Sequence, residues 1–177
     1  MTTLQEPRWL DHDEQQNWLA FSYLLLKLPA ALDAQTQRDS GISNFEYLVL
    51  AGLSMTPERT LRMSDLAEFT ASSLSRLSNV ITRLEKRGWI RRTPDPRDGR
   101  YTLAILTSSG RDKIVASAPG HVEDVRRLVL DPLTKTQQRQ LGEIARRIMR
   151  AIDPDDRVVN DPIAALIRAA DTVITPL

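Results

Sequence analysis

LAEFTASSLSRLSNVITRLEKRGWIRRTPDPRDGRYTLAILTSSGR, residues 66–111, is the stretch on which the fold turns. It begins in a short helical segment, SDLAEFT, capped by Ser64, with Leu66, Ala67 and Phe69 placed to face a core. A polar break, TASS at residues 70–73, separates it from LSRLSNVITRLEKRG, a longer helix capped by Ser72 or Ser73 and closed at Gly88. Short helix, tight turn and longer helix make a helix-turn-helix. Trp89-Ile90 and Tyr101 to Leu106 are rich in β-branched and aromatic residues and read as strands, with DPRDGR as the loop between them.

The longer helix divides into two faces at 100° per residue. Leu74, Leu77, Ile81 and Leu84 fall on the side that would pack against the preceding helix. Ser75, Arg76, Asn79, Arg83 and Lys86 fall on the other, with Glu85 beside the apolar face. A solvated helix face commonly mixes both signs to gain i,i+4 pairs. This one carries guanidinium, ammonium, amide and hydroxyl groups, which suit phosphate oxygens and base edges in a major groove. The hairpin that follows has the position of the wing in a winged helix. Its tip holds Arg97, suited to a phosphate, and Arg100, suited to a narrow minor groove whose negative potential attracts a guanidinium. Asp98 would repel phosphate and is expected to brace the loop, while Gly99 is expected to supply a turn at positive φ.

On either side the chain is helical. Trp18, Phe21, Leu25, Leu28 and Leu32 form a stripe within a helix over residues 14–32, which Pro29 should bend or end early. Ser43 and Glu46 have capping-box spacing at the head of SNFEYLVLAGLSM. Thr107 or Ser108 caps a helix that runs to about Leu130 with a kink at Pro119-Gly120, and Thr134 caps another with a stripe of Leu141, Ile144, Ile148 and Ile152. Residues 161–177 repeat the helical spacing. The fold class is therefore mainly α with a small β-hairpin wing, a single domain of 177 residues. Residues 14–55 and 107–152 form a helical dimerisation region, 56–106 the winged helix-turn-helix and 153–177 a C-terminal extension.

Composition narrows the function classes. Hydrophobic residues at 41% and charged residues at 27% are a globular balance. With no cysteine, disulfides, thiolate metal sites and thiol redox switches are excluded. The first residues lack a basic and apolar leader pattern and no apolar run is long enough to span a bilayer, so the expectation is a soluble cytoplasmic protein without a membrane partner. Net charge is +1, but residues 56–111 hold eleven basic and six acidic side chains, while residues 1–55 hold three and seven. The positive charge is concentrated in the segment with the basic helix face. Only His12 and His121 are present, neither in a metal-ligand or nucleophile pattern, so neither an enzyme nor a cofactor or metal site is expected.

Residues 66–111 resemble the MarR-type winged-helix transcriptional regulators. The resemblance lies in R-L-E-K-R-G closing a helix, W-I-R-R opening a strand, D-x-R at Asp98 to Arg100, and L-T-x-x-G at Leu106 to Gly110; in pattern it extends from about Glu14 to Ile152. It implies a double-stranded DNA operator as partner, read by a recognition helix at 73–87 and a wing at 91–106. Arg100 then enters the minor groove, Asp98 braces the wing, and Ser75, Arg76, Ser78 and Asn79 meet bases and phosphates, with Ser73 and Arg83 on the same helix. The chain departs from the commoner pattern at Asn79, where a basic residue is usual, and at Gly99, where a second arginine is usual.

The resemblance also implies a homodimer, a repressor, and a small phenolic or amphipathic effector bound near Trp18, Phe21, Phe45 and Tyr47. Those aromatics suit an ordinary core or interface better than an effector site, since they are few and are the natural core builders. The apolar stripes independently exceed what a small wing domain could cover. A two-fold dimer would read a pseudo-palindrome with half-sites about 10 bp apart. The alternative is a winged helix used as a protein-interaction module, which the basic face argues against. The tail could be a further dimerisation helix or a docked extension.

Overall fold

A computed structural model of the chain describes residues 6–56 and 58–154. The segment 161–177, expected to be helical, lies outside them. In chain order the elements are α1 (His12–Ser40), α2 (Asn44–Ser54), β1 (Thr60–Arg62), α3 (Met63–Phe69), α4 (Leu74–Lys86), β2 (Ile90–Asp95), β3 (Asp98–Leu106), α5 (Ser108–Val125) and α6 (Lys135–Ile152), with a π-helical segment, Arg126–Leu130, continuing α5.

Helix α1 starts in a capping box between Asp11 and Glu14 and ends at Gly41, whose φ of 62° is the left-handed stop that glycine adopts without strain. Pro29 does not end it. A proline removes one intrahelical hydrogen bond, and the helix formers Ala30, Ala31 and Leu32 carry the helix on through the next turn. Helix α5 likewise passes through Pro119 and widens into the π segment beyond Val125. Helix α2 begins in the expected capping box, Ser43 with Glu46, and α6 begins at the expected cap Thr134, which forms a capping box with Gln137.

Ser64 is not the cap of α3. Arg62 holds that position without a side-chain bond, because it is also the last residue of β1 and is paired with Leu103. The strand therefore passes straight into the helix. Strand β1, absent from the sequence reading, makes the hairpin part of a three-stranded antiparallel sheet ordered β1-β3-β2.

One core joins α2, α3, α4, the sheet and the start of α5. Leu50, Leu53, Leu66, Leu77, Ile81, Leu84 and Ala104 are fully buried in it. Helix α2, grouped with the dimerisation helices in the sequence reading, supplies as much of this core as α4 does. Gly52 is tight for a reason: a Cβ there would lie 2.6 Å from the Phe69 ring. Gly110 of the L-T-x-x-G motif lies against the Trp89 carbonyl, where a Cβ would overlap the oxygen. Thr107 and Ser109 both donate to the Gly88 carbonyl, at 2.7 and 2.8 Å. These contacts fasten the start of α5 to the end of α4.

By contrast α6 buries nothing in this chain. Ile144 is 55% exposed and Ile152 70%, and on α1 Trp18 and Leu25 are each 55% exposed. The expected α6 stripe faces outward, whereas on α1 Trp18 and Leu25 are exposed but Phe21, Leu28 and Leu32 are half-buried, and Leu19, Tyr23, Leu24 and Leu26 add exposed apolar surface off the stripe.

Candidate nucleic-acid interface

Ser73 caps α4, its hydroxyl accepting from the Arg76 N–H at 3.3 Å and lying 3.1 Å from the Ser75 hydroxyl. Ser73, Ser75, Arg76, Asn79, Arg83 and Lys86 are all exposed, and Ser78 is half-buried. The expected polar face is thus brought together on one helix. Its cations are not free rotors. The Arg76 guanidinium carbon lies 4.5 Å from the Phe45 ring centre, a cation–π contact that flattens the side chain against α2. Arg83 and Arg87 approach the buried Glu46 carboxylate at 3.4 and 3.9 Å. Glu46 therefore does more than cap α2: it holds Arg83 of α4 and Arg87 at the end of that helix. Glu85, the acid near this face, accepts from the Arg92 backbone N–H and Nε, both at 2.8 Å, and is turned toward the sheet.

Leu74 departs from its expected place in the core. As the first residue of α4 it projects beyond the positions covered by α3 and is 56% exposed. It lines a groove between α4 and the wing together with Met63 and Tyr101.

The wing is shorter at its tip than DPRDGR suggests. Asp95 ends β2 and Asp98 begins β3, and the two are paired, leaving Pro96 and Arg97 as the connection. Gly99 lies within β3 and does not have a positive φ, so it is not the turn residue. It falls in the stretch 99–101 of β3 that has no partner on β2, where the register shifts between the Pro94–Thr102 and Asp95–Asp98 pairs.

Two carboxylates organise this tip. The Asp95 side chain is fully buried, accepts from Arg62 Nε at 2.9 Å and from the Arg97 N–H at 2.9 Å, and is 2.8 Å from Arg62 Nη2. Arg62 in turn lies 4.2 Å over the Tyr101 ring. This cluster ties the hairpin to β1 and to the head of α3. The Arg97 backbone N–H first, and then Arg62, hold the Asp95 carboxyl below the usual carboxylate range against the opposing effect of burial. Asp98 accepts from Arg100 three times through the side chain, at 2.7, 3.0 and 3.2 Å, and once from its N–H at 3.1 Å. The Arg100 side chain, followed by its N–H, lowers the Asp98 pKa, and the same pair raises that of Arg100.

Asp98 thus steers Arg100, while the tie to the body of the domain is made by Asp95, which the sequence reading overlooked. The missed signal was a second aspartate three residues before Asp98. Arg97 and Arg100 remain 84% and 85% exposed, two cations held out from the sheet.

The four aromatics expected near an effector do not meet in this chain. Trp18 and Phe21 lie 6.4 Å apart on α1, and Phe45 lies under Arg76. Tyr47 alone lines a cavity of about 460 Å³ between α2 and α5, with Phe69, Ile114, His121, Val122 and Arg126. Tyr47 stacks on His121 with ring centres 4.0 Å apart. His121 Nδ1 is buried there without a hydrogen-bond partner. Burial pushes the His121 imidazole below its ordinary pKa, and Asp124 partly offsets this. Among the described residues no group of histidines and carboxylates could hold a metal ion, and no helix is long and apolar enough to cross a membrane.

Comparison with known proteins agrees with this geometry. The MarR family model matches residues 40–100. Sco3205 of Streptomyces coelicolor, a MarR family transcriptional regulator solved in complex with DNA, is 43% identical, with a TM-score of 0.82 over 85% of this chain and 94% of that one. AbsC of the same organism, also a MarR family regulator, is 32% identical, with a TM-score of 0.79 over 84% of this chain and all of that one. The transcriptional repressor MprA of Escherichia coli is 26% identical over 64% of each chain. The match to the HTH-type regulator YdcH of Bacillus subtilis, at 31% identity, covers 44% of this chain and about half, 49%, of that one. These relatives are transcriptional regulators, and the chain belongs to the MarR family of transcriptional regulators.

Proposed function

We propose that this chain is a sequence-specific, double-stranded DNA-binding repressor that acts in the cytoplasm as a homodimer. The observation that carries the reading is the joint presentation of the polar face of α4 and the exposed Arg97 and Arg100 beside it. Ser73, Ser75, Arg76, Ser78, Asn79 and Arg83 meet one major-groove half-site, Arg100 enters the adjacent minor groove and Arg97 meets a phosphate. Asp98 keeps Arg100 extended toward the duplex. A relative 43% identical was solved with DNA, which supports the reading, and MprA is named a repressor.

The outward apolar faces of α1 and α6 support a two-fold dimer, which sets two half-sites about 10 bp apart. The cavity between α2 and α5 supports release by a small amphipathic ligand: it is mostly apolar, with Tyr47, Ser54, the unpartnered His121 Nδ1 and Arg126 as its polar groups, so it suits a phenolic or similar molecule with one polar end. The decisive experiment is selection of bound sequences from random duplex DNA, repeated across a salt series. Enrichment of a pseudo-palindrome, with affinity falling steeply with salt, is expected. Failure to enrich any site, or affinity indifferent to salt, favours the protein-interaction module instead.

A further inference from the structure

The groove between α4 and the wing has a volume of about 380 Å³ and a mixed character. Met63, Leu74 and Tyr101 give it apolar walls, and Ser64, Ser78 and Arg100 contribute hydroxyls and a guanidinium. Leu74 and Tyr101 are 56% and 40% exposed, apolar surface in a region otherwise made of cations, amides and hydroxyls. The Tyr101 ring is held by the Arg62 guanidinium 4.2 Å away, itself fixed by the buried Asp95. One wall of the groove is therefore preordered.

If α4 lies in a major groove and Arg100 in the adjoining minor groove, one element of the duplex must cross the interval between them: the sugar–phosphate strand that divides the two grooves. A deoxyribose presents a hydrocarbon face between two anionic phosphates, and the groove offers the complementary sequence of apolar wall and polar donors. We propose that this groove seats one deoxyribose of that strand, with Leu74 and Tyr101 against the sugar and the Ser64 and Ser78 hydroxyls toward the flanking phosphate. The inference rests on the DNA-binding reading above and adds an anchor that reads the sugar and not the base. A ribose at that position would press its 2′-hydroxyl onto apolar surface without a partner, so the groove favours DNA over RNA there.

The test uses the full chain and two duplexes of equal length, one enriched from a random pool and one scrambled. Leu74→Ala lowers affinity about 5-fold, the consequence of losing contact with a half-exposed leucine. The loss is equal on both duplexes, and the salt slope is unchanged because no charge is removed. The thermal midpoint stays at the wild-type value, since the side chain is not in the core. A single ribonucleotide walked along each strand weakens wild-type binding at one nucleotide per half-site, and Leu74→Ala loses that sensitivity. A loss confined to the enriched duplex and reproduced by exchanging thymine for deoxyuridine makes Leu74 a reader of a thymine methyl and overturns the proposal. So does unchanged affinity, or a flat ribonucleotide scan. Wild-type protein that binds neither duplex overturns the DNA-binding reading as well.

Discussion

Replacing Ile144 by alanine tests the assembly on which the proposed operator geometry depends. The residue lies midway along α6, 55% exposed, in a helix that buries no side chain against its own chain. Full burial of an isoleucine side chain is worth about 1.5–3 kcal/mol. Covering the exposed 55% of it therefore contributes about 0.8–1.7 kcal/mol per protomer. A two-fold interface counts each substitution twice, so the dimer should lose about 1.6–3.3 kcal/mol, or about 15- to 250-fold in dissociation constant. The upper end assumes complete burial in the dimer and no residual contact by the alanine Cβ. The secondary structure should be unaffected, because no residue of α6 is buried within the chain and alanine favours the helix.

Sedimentation velocity over a dilution series measures the dissociation constant directly, and DNA titrations at the same concentrations should show apparent affinity falling as dimers separate. A variant that dissociates at the wild-type concentration would refute the placement of α6 in the interface. A wild-type chain that is monomeric throughout would refute the dimer itself.

Arg100→Ala should weaken duplex binding about 5- to 150-fold, the range of one good groove contact, with no change in thermal midpoint because the side chain is 85% exposed; undiminished binding in a fluorescence titration removes the wing from the interface. Asp95→Asn keeps an acceptor for the Arg97 N–H but discharges the partner of Arg62. Because the folded-state pKa of Asp95 is depressed, the charge stabilises the fold above its unfolded value of about 3.9, and that contribution is lost as pH falls through the folded pKa. Denaturation at stepped pH should therefore show wild type ahead of Asp95→Asn near neutrality and the gap closing in acid; a constant gap would show that the charge is not responsible. His121 has a lowered folded-state pKa, so its neutral form belongs to the native state, and the protein should lose stability as pH drops below the unfolded value of about 6.5. His121→Gln should flatten that part of the profile, and an unaltered slope would assign the loss to another group.

What could be read from the chain beforehand follows a physical division between local and distant causes. Ser43 with Glu46, the cap at Thr134 and the helix stop at Gly88 are settled by groups three or four residues apart, so their types and spacing suffice. The faces of α4 follow from its period, and each charged or polar residue assigned to the outer face is exposed. Leu74 has the same period as Leu77 and Ile81, yet its burial depends on whether another element covers the first turn of α4, and none does. Strand β1 is three residues long, too short for any alternation, and exists because β3 offers it an edge.

The Arg62–Asp95 pair spans 33 residues of sequence, so nothing near either residue announces it, although it decides where the wing sits. The same division explains the two aspartates. Asp98 was recognisable because its partner is two residues away, whereas Asp95, the one that fastens the wing to the domain, needed a partner across the fold. Recognition by this wing therefore has two separable parts, a local pair that orients Arg100 and a long-range pair that positions the hairpin carrying it. Substitutions at Asp98 should change groove contact while leaving the fold intact, and substitutions at Asp95 should change both.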